Sequence, residues 1–169
     1  MSTPACLLTP DLIAMVDRGV STIVSSCDAA LRPSIMRAVG SSITPDGCSI
    51  TVYLARRQCR QLLQDVAATG RIAVVFSQPH SHRAVQVKAC SARARPAQAS
   101  DEPVLQRYLA AMEVEIGRIG IDPGFTRSML AHRLEDVVAI SFEPSQAFDQ
   151  TPGPKAGAVL STGGTGQAA

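Results

Sequence analysis

Hydrophobic and polar positions alternate or recur with distinct periods along this chain, and the changes of period mark its elements. Residues 10 to 18 place Leu12, Ile13 and Val16 at helical spacing behind Thr9-Pro10-Asp11, which predicts a short helix near one end of the fold. From Gly19 the period becomes two. VSTIVSSC (20 to 27), SIMRAVGSSI (34 to 43) and SITVYLA (49 to 55) read as three strands of an antiparallel meander, separated by turn chemistry at 28 to 33 and at Pro45-Asp46-Gly47. Then Cys59, Leu62, Leu63, Val66 and Ala67 form one apolar helical stripe that ends at Thr69-Gly70.

RIAVVFS (71 to 77) is apolar on both faces, as a doubly buried strand requires. RAVQVKACSARAR (83 to 95) alternates again, with Val85, Val87 and Ala89 on one side and Gln86 and Lys88 on the other. A helix opens at Asp101-Glu102-Pro103, with apolar positions Leu105, Leu109, Met112, Ile116 and Ile119, and a second helical stretch covers 124 to 133. DVVAISFEP (136 to 144) is the sixth strand, stopped by Pro144. Beyond Phe148 the Gly, Pro and Ser content predicts an extended or mobile tail over 149 to 169, following a domain over 1 to 148. Six strands with a helix after the third and a helical excursion before the sixth predict a mainly β fold: a small antiparallel barrel with helices at its ends. A doubly wound sheet is disfavoured, because strand and helix do not alternate regularly and GxGxxG is missing.

Composition narrows the class. A chain of 169 residues that is 46% hydrophobic buries enough surface to fold as one domain without staples. A net charge of +2 gives no support for nucleic-acid binding. The opening MSTPACLLTPDLIAMVDRG lacks a basic leader and is interrupted by Pro4, Pro10, Asp11 and Asp17, so neither a signal peptide nor a membrane span is expected, and the setting is read as cytoplasmic. Cys6, Cys27, Cys48, Cys59 and Cys90 are odd in number and form no CxxC pair, which suits small packed thiols in a reducing compartment.

The chemistry concentrates in ARRQCRQLL (55 to 63), where a strand hands over to a helix. Arg56, Arg57 and Arg60 lie at spacings that bring guanidinium groups together beside the free N–H groups of a helix start, and Gln58 or Gln61 adds neutral donors. That set suits a phosphate; a solvated helix face accounts for the same residues without one. Positive charge at a helix N-terminus opposes the helix dipole, which favours the phosphate. Arg37 alternates with Ile35 and Val39, so it needs an anionic partner or an exit to solvent, and Gly40 marks a bulge, a close backbone approach or an ordinary irregularity. His80 and His82 have no third ligand nearby in sequence, so no metal is expected. GxSxG, HExxH and GxxxxGK are absent, and no catalytic acid or base is assigned.

The Arg32-Pro33 turn into a strand with Arg37, the SITVYLARRQCRQLL passage, GRIAVVFSQP and HRAVQVKA together resemble the pyridoxamine 5'-phosphate oxidase-like FMN-binding split-barrel family, over about 19 to 95 and 136 to 144. The AFDQTPGPKAG ending, 147 to 157, resembles one small branch of it. The resemblance implies a six-stranded antiparallel split barrel of the FMN-binding type and a homodimer with FMN at the subunit interface. It implies that Arg37, Ala38, Val39 and Gly40 flank the flavin ring with Tyr53 and Leu54 nearby, that Arg56, Arg57, Gln58 and Arg60 hold the phosphate, and that Gln86 reaches the ring or ribityl chain. It further implies an oxidoreductase acting with a small substrate or electron donor, or alternatively a non-catalytic flavin, haem or deazaflavin binder for sensing or carriage. Two departures stand out: RRQCRQ replaces the family's usual Ser-Arg-Lys triplet, and the chain has no Trp where true pyridoxamine phosphate oxidases end in a Trp- and Arg-containing segment. Oxidation of vitamin B6 phosphates is therefore not expected.

Overall fold

Two sheets share the nine strands and four α-helices that a computed structural model describes within residues 7–160. The strands are β1 (Ser21–Cys27), β2 (Pro33–Arg37), β3 (Gly40–Ile43), β4 (Ile50–Ala55), β5 (Ile72–Ser77), β6 (Ala84–Ala89), β7 (Arg93–Pro96), β8 (Val137–Phe142) and β9 (Gln146–Asp149). The helices are α1 (Pro10–Asp17), α2 (Arg60–Thr69), α3 (Glu102–Gly117) and α4 (Pro123–Met129). One sheet has the order β2-β1-β5-β6-β9 and the other β3-β4-β8-β7, with every pairing antiparallel.

The mainly β expectation holds, but six strands become nine because two predicted runs each change sheets partway and a further strand follows the sixth. The run 34 to 43 divides at Ala38-Val39: the Ala38 N–H donates to Thr22 O on β1 at 2.9 Å, and the Val39 N–H donates to Tyr53 O on β4 at 2.8 Å. The run 83 to 95 divides between β6 and β7, where the Ala92 N–H donates to Gly70 O at 3.0 Å. Side-chain alternation breaks at both corners, with residues 38 to 41 all buried and Cys90 and Ser91 both exposed, but small residues at the breaks hide this in the sequence pattern. The ninth strand, β9, pairs with β6. Of the Gly/Pro-rich segment, the described part turns back on the sheet: Val159 bridges Phe148, the Leu160 N–H donates to Ala147 O at 2.9 Å, and Leu160 packs on the core. Residues 161–169 of the tail and Cys6 lie outside the described residues.

The main core fills the space between the sheets. Val24, Val74 and Val87 from the first sheet face Val52, Leu54 and Ile140 from the second, all fully buried, while Leu62 and Val66 of α2 and Leu12 and Val16 of α1 close it. Burying each such side chain contributes roughly 1.5–3 kcal/mol. The second sheet's outer face is covered too, since Val39, Tyr53, Val137 and Ala139 pack beneath Leu105 of α3. The buried stripe of α3 is Leu105, Tyr108, Met112, Glu115 and Ile116, with Leu109 only half-buried and Ile119 exposed. Glu115 is fully enclosed because the 78–82 loop folds over it: its carboxylate accepts from the His80 N–H at 3.0 Å and from Arg118 Nη1 at 3.1 Å, and it pairs with the His80 ring.

The outer face of the first sheet is different. Ile23, Ser25, Ala73, Val75, Gln86 and Lys88 are all half-buried and Ile35 is 70% exposed, leaving this face without a covering helix among the described residues, so β5, expected to be buried on both faces, is fully buried on one only.

Candidate functional site

The strand-to-helix passage is built by a tight turn at the end of β4. Arg56–Gln58 form a tight 3-10 turn, Cys59 breaks the run, and α2 begins at Arg60. The arginines therefore do not share one continuous helix, as their spacing predicts. Cys59 stands at the N-cap and its thiol makes no capping bond, so the first N–H groups of α2 lack a side-chain acceptor. Arg56, Arg57, Gln58 and Arg60 are all exposed. Arg57 Nε lies 3.4 Å from Asp136 Oδ1, whereas Arg56 and Arg60 make no ion pair among the described residues. Burial pushes the Cys59 thiol up to about 11, with Asp136 adding to the effect and Arg56 opposing it, so this sulfur stays protonated at neutral pH and is no nucleophile.

Arg37 closes β2, half-buried, and its Nη1 donates to Ser21 Oγ at 2.6 Å. Ile35 and Arg37 share the outer face, but Val39 leaves it at the corner and joins the cluster under α3. Ala38 is fully buried at that corner. The close approach at Gly40 is to α3, since a Cβ there would sit 2.7 Å from Leu105 Cδ2 and 3.3 Å from Tyr53 Cδ2. Leu54 is enclosed in the main core, so only its backbone is left to face a ligand.

Tyr53 is buried, and its hydroxyl donates to Asp101 Oδ1 at 3.1 Å. Asp101 also accepts from Arg95 Nη1 and Nη2 at 2.7 and 2.8 Å and from the Gln98 N–H at 2.8 Å. The Arg95 guanidinium, more than the other donors, holds the Asp101 carboxyl down at about 2 against the cost of burial. Burial and the Asp101 charge push the Tyr53 phenol up. Arg95 and Arg56 line the same shallow pocket of about 190 Å³, with Leu63, Ala94, Pro96 and Val138. Sequence reasoning missed Arg95 and read Asp101 only as a helix start. The signal for Arg95 was a charged residue inside an alternating run.

Gln86 sits on the outer face of the first sheet. Register places Arg37, Ile23, Val75, Gln86 and Phe148 in one line across five strands. Arg37 and Gln86 are three strand spacings apart, about 14 Å. The sequence-nominated residues thus fall into two groups, the outer-face line of Arg37 and Gln86 and the basic passage of Arg56, Arg57, Gln58 and Arg60, joined by the corner at 38 to 40. No group of three His, Cys, Asp or Glu side chains placed to hold a metal ion occurs among the described residues. Nor is any helix among them long and apolar enough to cross a membrane.

No protein-family model matches the chain, and no curated protein sequence does. Solved structures do match. HupZ of Group A Streptococcus superposes with a TM-score of 0.54 at 15% identity, over 89% of this chain and 99% of that one. A protein of Lactobacillus delbrueckii with a provisional pyridoxamine 5'-phosphate oxidase name gives 0.52 at 13% identity, over 88% and 99%. The chain has the split-barrel fold of the pyridoxamine 5'-phosphate oxidase-like proteins. An F420 reductase shares the split barrel with a TM-score of 0.52 at 13% identity, over 79% and 93%. Identities this low establish the architecture, and the chemistry of the site rests on its own residues.

Proposed function

We propose that this split barrel is a cytoplasmic FMN-binding flavoprotein, a homodimer with the cofactor between two copies, acting as an oxidoreductase on a small substrate. The observation that carries the reading is the basic passage: Arg56 and Arg60 have no carboxylate partner among the described residues and stand beside a helix start with no side-chain cap. Cations there oppose the helix dipole, and a phosphate turns the arrangement favourable by accepting from both the guanidinium groups and the backbone. The donor set therefore fits the FMN phosphate. The outer-face line offers Ile23 and Val75 as an apolar bed for a flavin ring, with Arg37 and Gln86 as polar contacts near its edge. That face is also the bare one, which supports burial against a second copy. Flavin, when bound, supplies hydride or electron exchange. The chain's own residues hold and orient it, and Tyr53 is tied to Asp101 rather than free to move a proton at the site.

The test is an absorbance and fluorescence titration of the purified protein with FMN, followed by NAD(P)H with a range of acceptors. Saturable FMN binding with steady turnover supports the reading. Binding without turnover favours a carrier or sensor, binding of haem or a deazaflavin in preference to FMN replaces the cofactor, and binding of none of them overturns the proposal.

A further inference from the structure

The uncovered face of the first sheet carries, at the end where β1 finishes, a pocket of about 390 Å³ floored by β1, β5 and β6. We infer that this pocket is a binding site for a small organic anion, one bearing a carboxylate, phosphate or sulfonate on an apolar body. Its wall brings together two cations, Arg71 and Lys88, with no carboxylate among the lining residues; the hydroxyls of Ser25, Ser26 and Ser145 also line it, each donating to a backbone carbonyl, so the cations are its main donors. Neither cation has an ion pair among the described residues: Arg71 Nη1 lies 3.9 Å from Cys27 Sγ, and Lys88 Nζ lies 5.0 Å over the Phe148 ring. Cations that line one concavity with no carboxylate beside them offer an anion charge-assisted hydrogen bonds.

Part of the wall is apolar. Ile72, Ala73 and Ala89 line it, so the cavity suits a ligand with a hydrocarbon body rather than a bare inorganic ion. The volume falls within the range of about 300–1,000 Å³ usual for small-molecule sites. None of these residues belongs to the basic passage, and the Ser25–Ala73–Lys88–Gln146 line lies one side-chain row, about 7 Å, along the strands from the Arg37–Gln86 line. The site therefore shares no side chain with the basic passage or with the Arg37–Gln86 line.

Two thiols report on it directly, because Cys27 and Cys90 line the pocket while Cys48 sits on the β3–β4 turn of the other sheet. Alkylation of each by iodoacetamide is followed by peptide mass spectrometry on the full chain, with 1-naphthyl phosphate as probe and neutral 1-naphthol as its counterpart. The phosphate slows alkylation of Cys27 and Cys90 but not Cys48, and 1-naphthol does not. Arg71→Gln and Lys88→Gln each raise the protecting concentration about tenfold, as loss of one charge-assisted contact predicts. Arg60→Gln leaves it unchanged, and FMN-saturated protein is protected equally. Absence of protection, equal protection by 1-naphthol, or protection that survives both substitutions overturns the site. So does protection abolished by FMN, which would assign the pocket to the cofactor. The wild-type comparison of phosphate with naphthol decides the matter if either variant fails to fold.

Discussion

The Tyr53 hydroxyl donates to the Asp101 carboxylate across 3.1 Å, and so ties the middle of β4 to the residue that opens α3. The bond closes a chain in which Arg95 grips the same carboxylate with both terminal nitrogens. Asp101 thereby holds together β4, β7 and α3 in the second sheet's outer layer.

Acid should undo this tie in a defined window. The Asp101 carboxyl titrates at about 2 in the folded protein against an ordinary 3.8, so the folded state favours the ionised form. Its contribution, on the order of 2 kcal/mol, is complete above about pH 4 and lost as the pH falls from about 4 to 2. Asp101→Asn removes it at every pH. Urea melts of the two proteins should differ at neutral pH and converge towards pH 2; a gap independent of pH would refute the account.

The three arginines of the passage should not be equivalent. Arg56→Ala and Arg60→Ala each weaken FMN binding by roughly 1.5–3 kcal/mol, the usual worth of a hydrogen bond to a charged group. Arg57 is already engaged with Asp136, and Arg57→Ala costs less than about 1 kcal/mol, in the range of exposed ion pairs. Quenching of FMN fluorescence measures all three, and the thermal midpoint of the flavin-free protein stays near wild type, because these side chains are exposed.

Adjacent residues on β5 should separate assembly from folding. Val75 is half-buried on the bare face, whereas Val74 is fully buried in the core. Val75→Lys should leave the circular dichroism spectrum intact and shift sedimentation from dimer to monomer. Val74→Lys should abolish folding itself, since it places an unpaired charge in the core. A Val75→Lys protein that still sediments as a dimer would remove this face from the interface.

Glu115 tests the loop clamp. Alanine in its place leaves the His80 N–H without its acceptor and opens a void beneath the loop, while the exposed His80 ring and Arg118 guanidinium turn to water, which costs about 1–3 kcal/mol. Hydrogen exchange should show the amides of residues 78–82 losing protection first. Glu115→Gln, which keeps an acceptor oxygen, should lose less.

Period changes along the chain revealed all four helices and the faces of most strands, because burial on one side writes itself into alternation. They could not reveal the corner at Ala38-Val39, where the backbone partners change from Thr22 to Tyr53 and the small residues Ala38 and Gly40 carry no clear polar or apolar signal. Glu115 was illegible for a related reason: a carboxylate on a helix reads as solvated until a loop from elsewhere covers it. Among the site residues, the basic passage was visible as charge density, and the line joining Arg37 to Gln86 was not, since strand order rather than sequence separation sets it.

Among the sheet surfaces of the described residues, one lacks a cover; the others are spent on the core or roofed by α3. A brick with glue on a single side can be joined once and no more. Pairing through that side would end in a closed couple, with nothing left over to seed a growing stack.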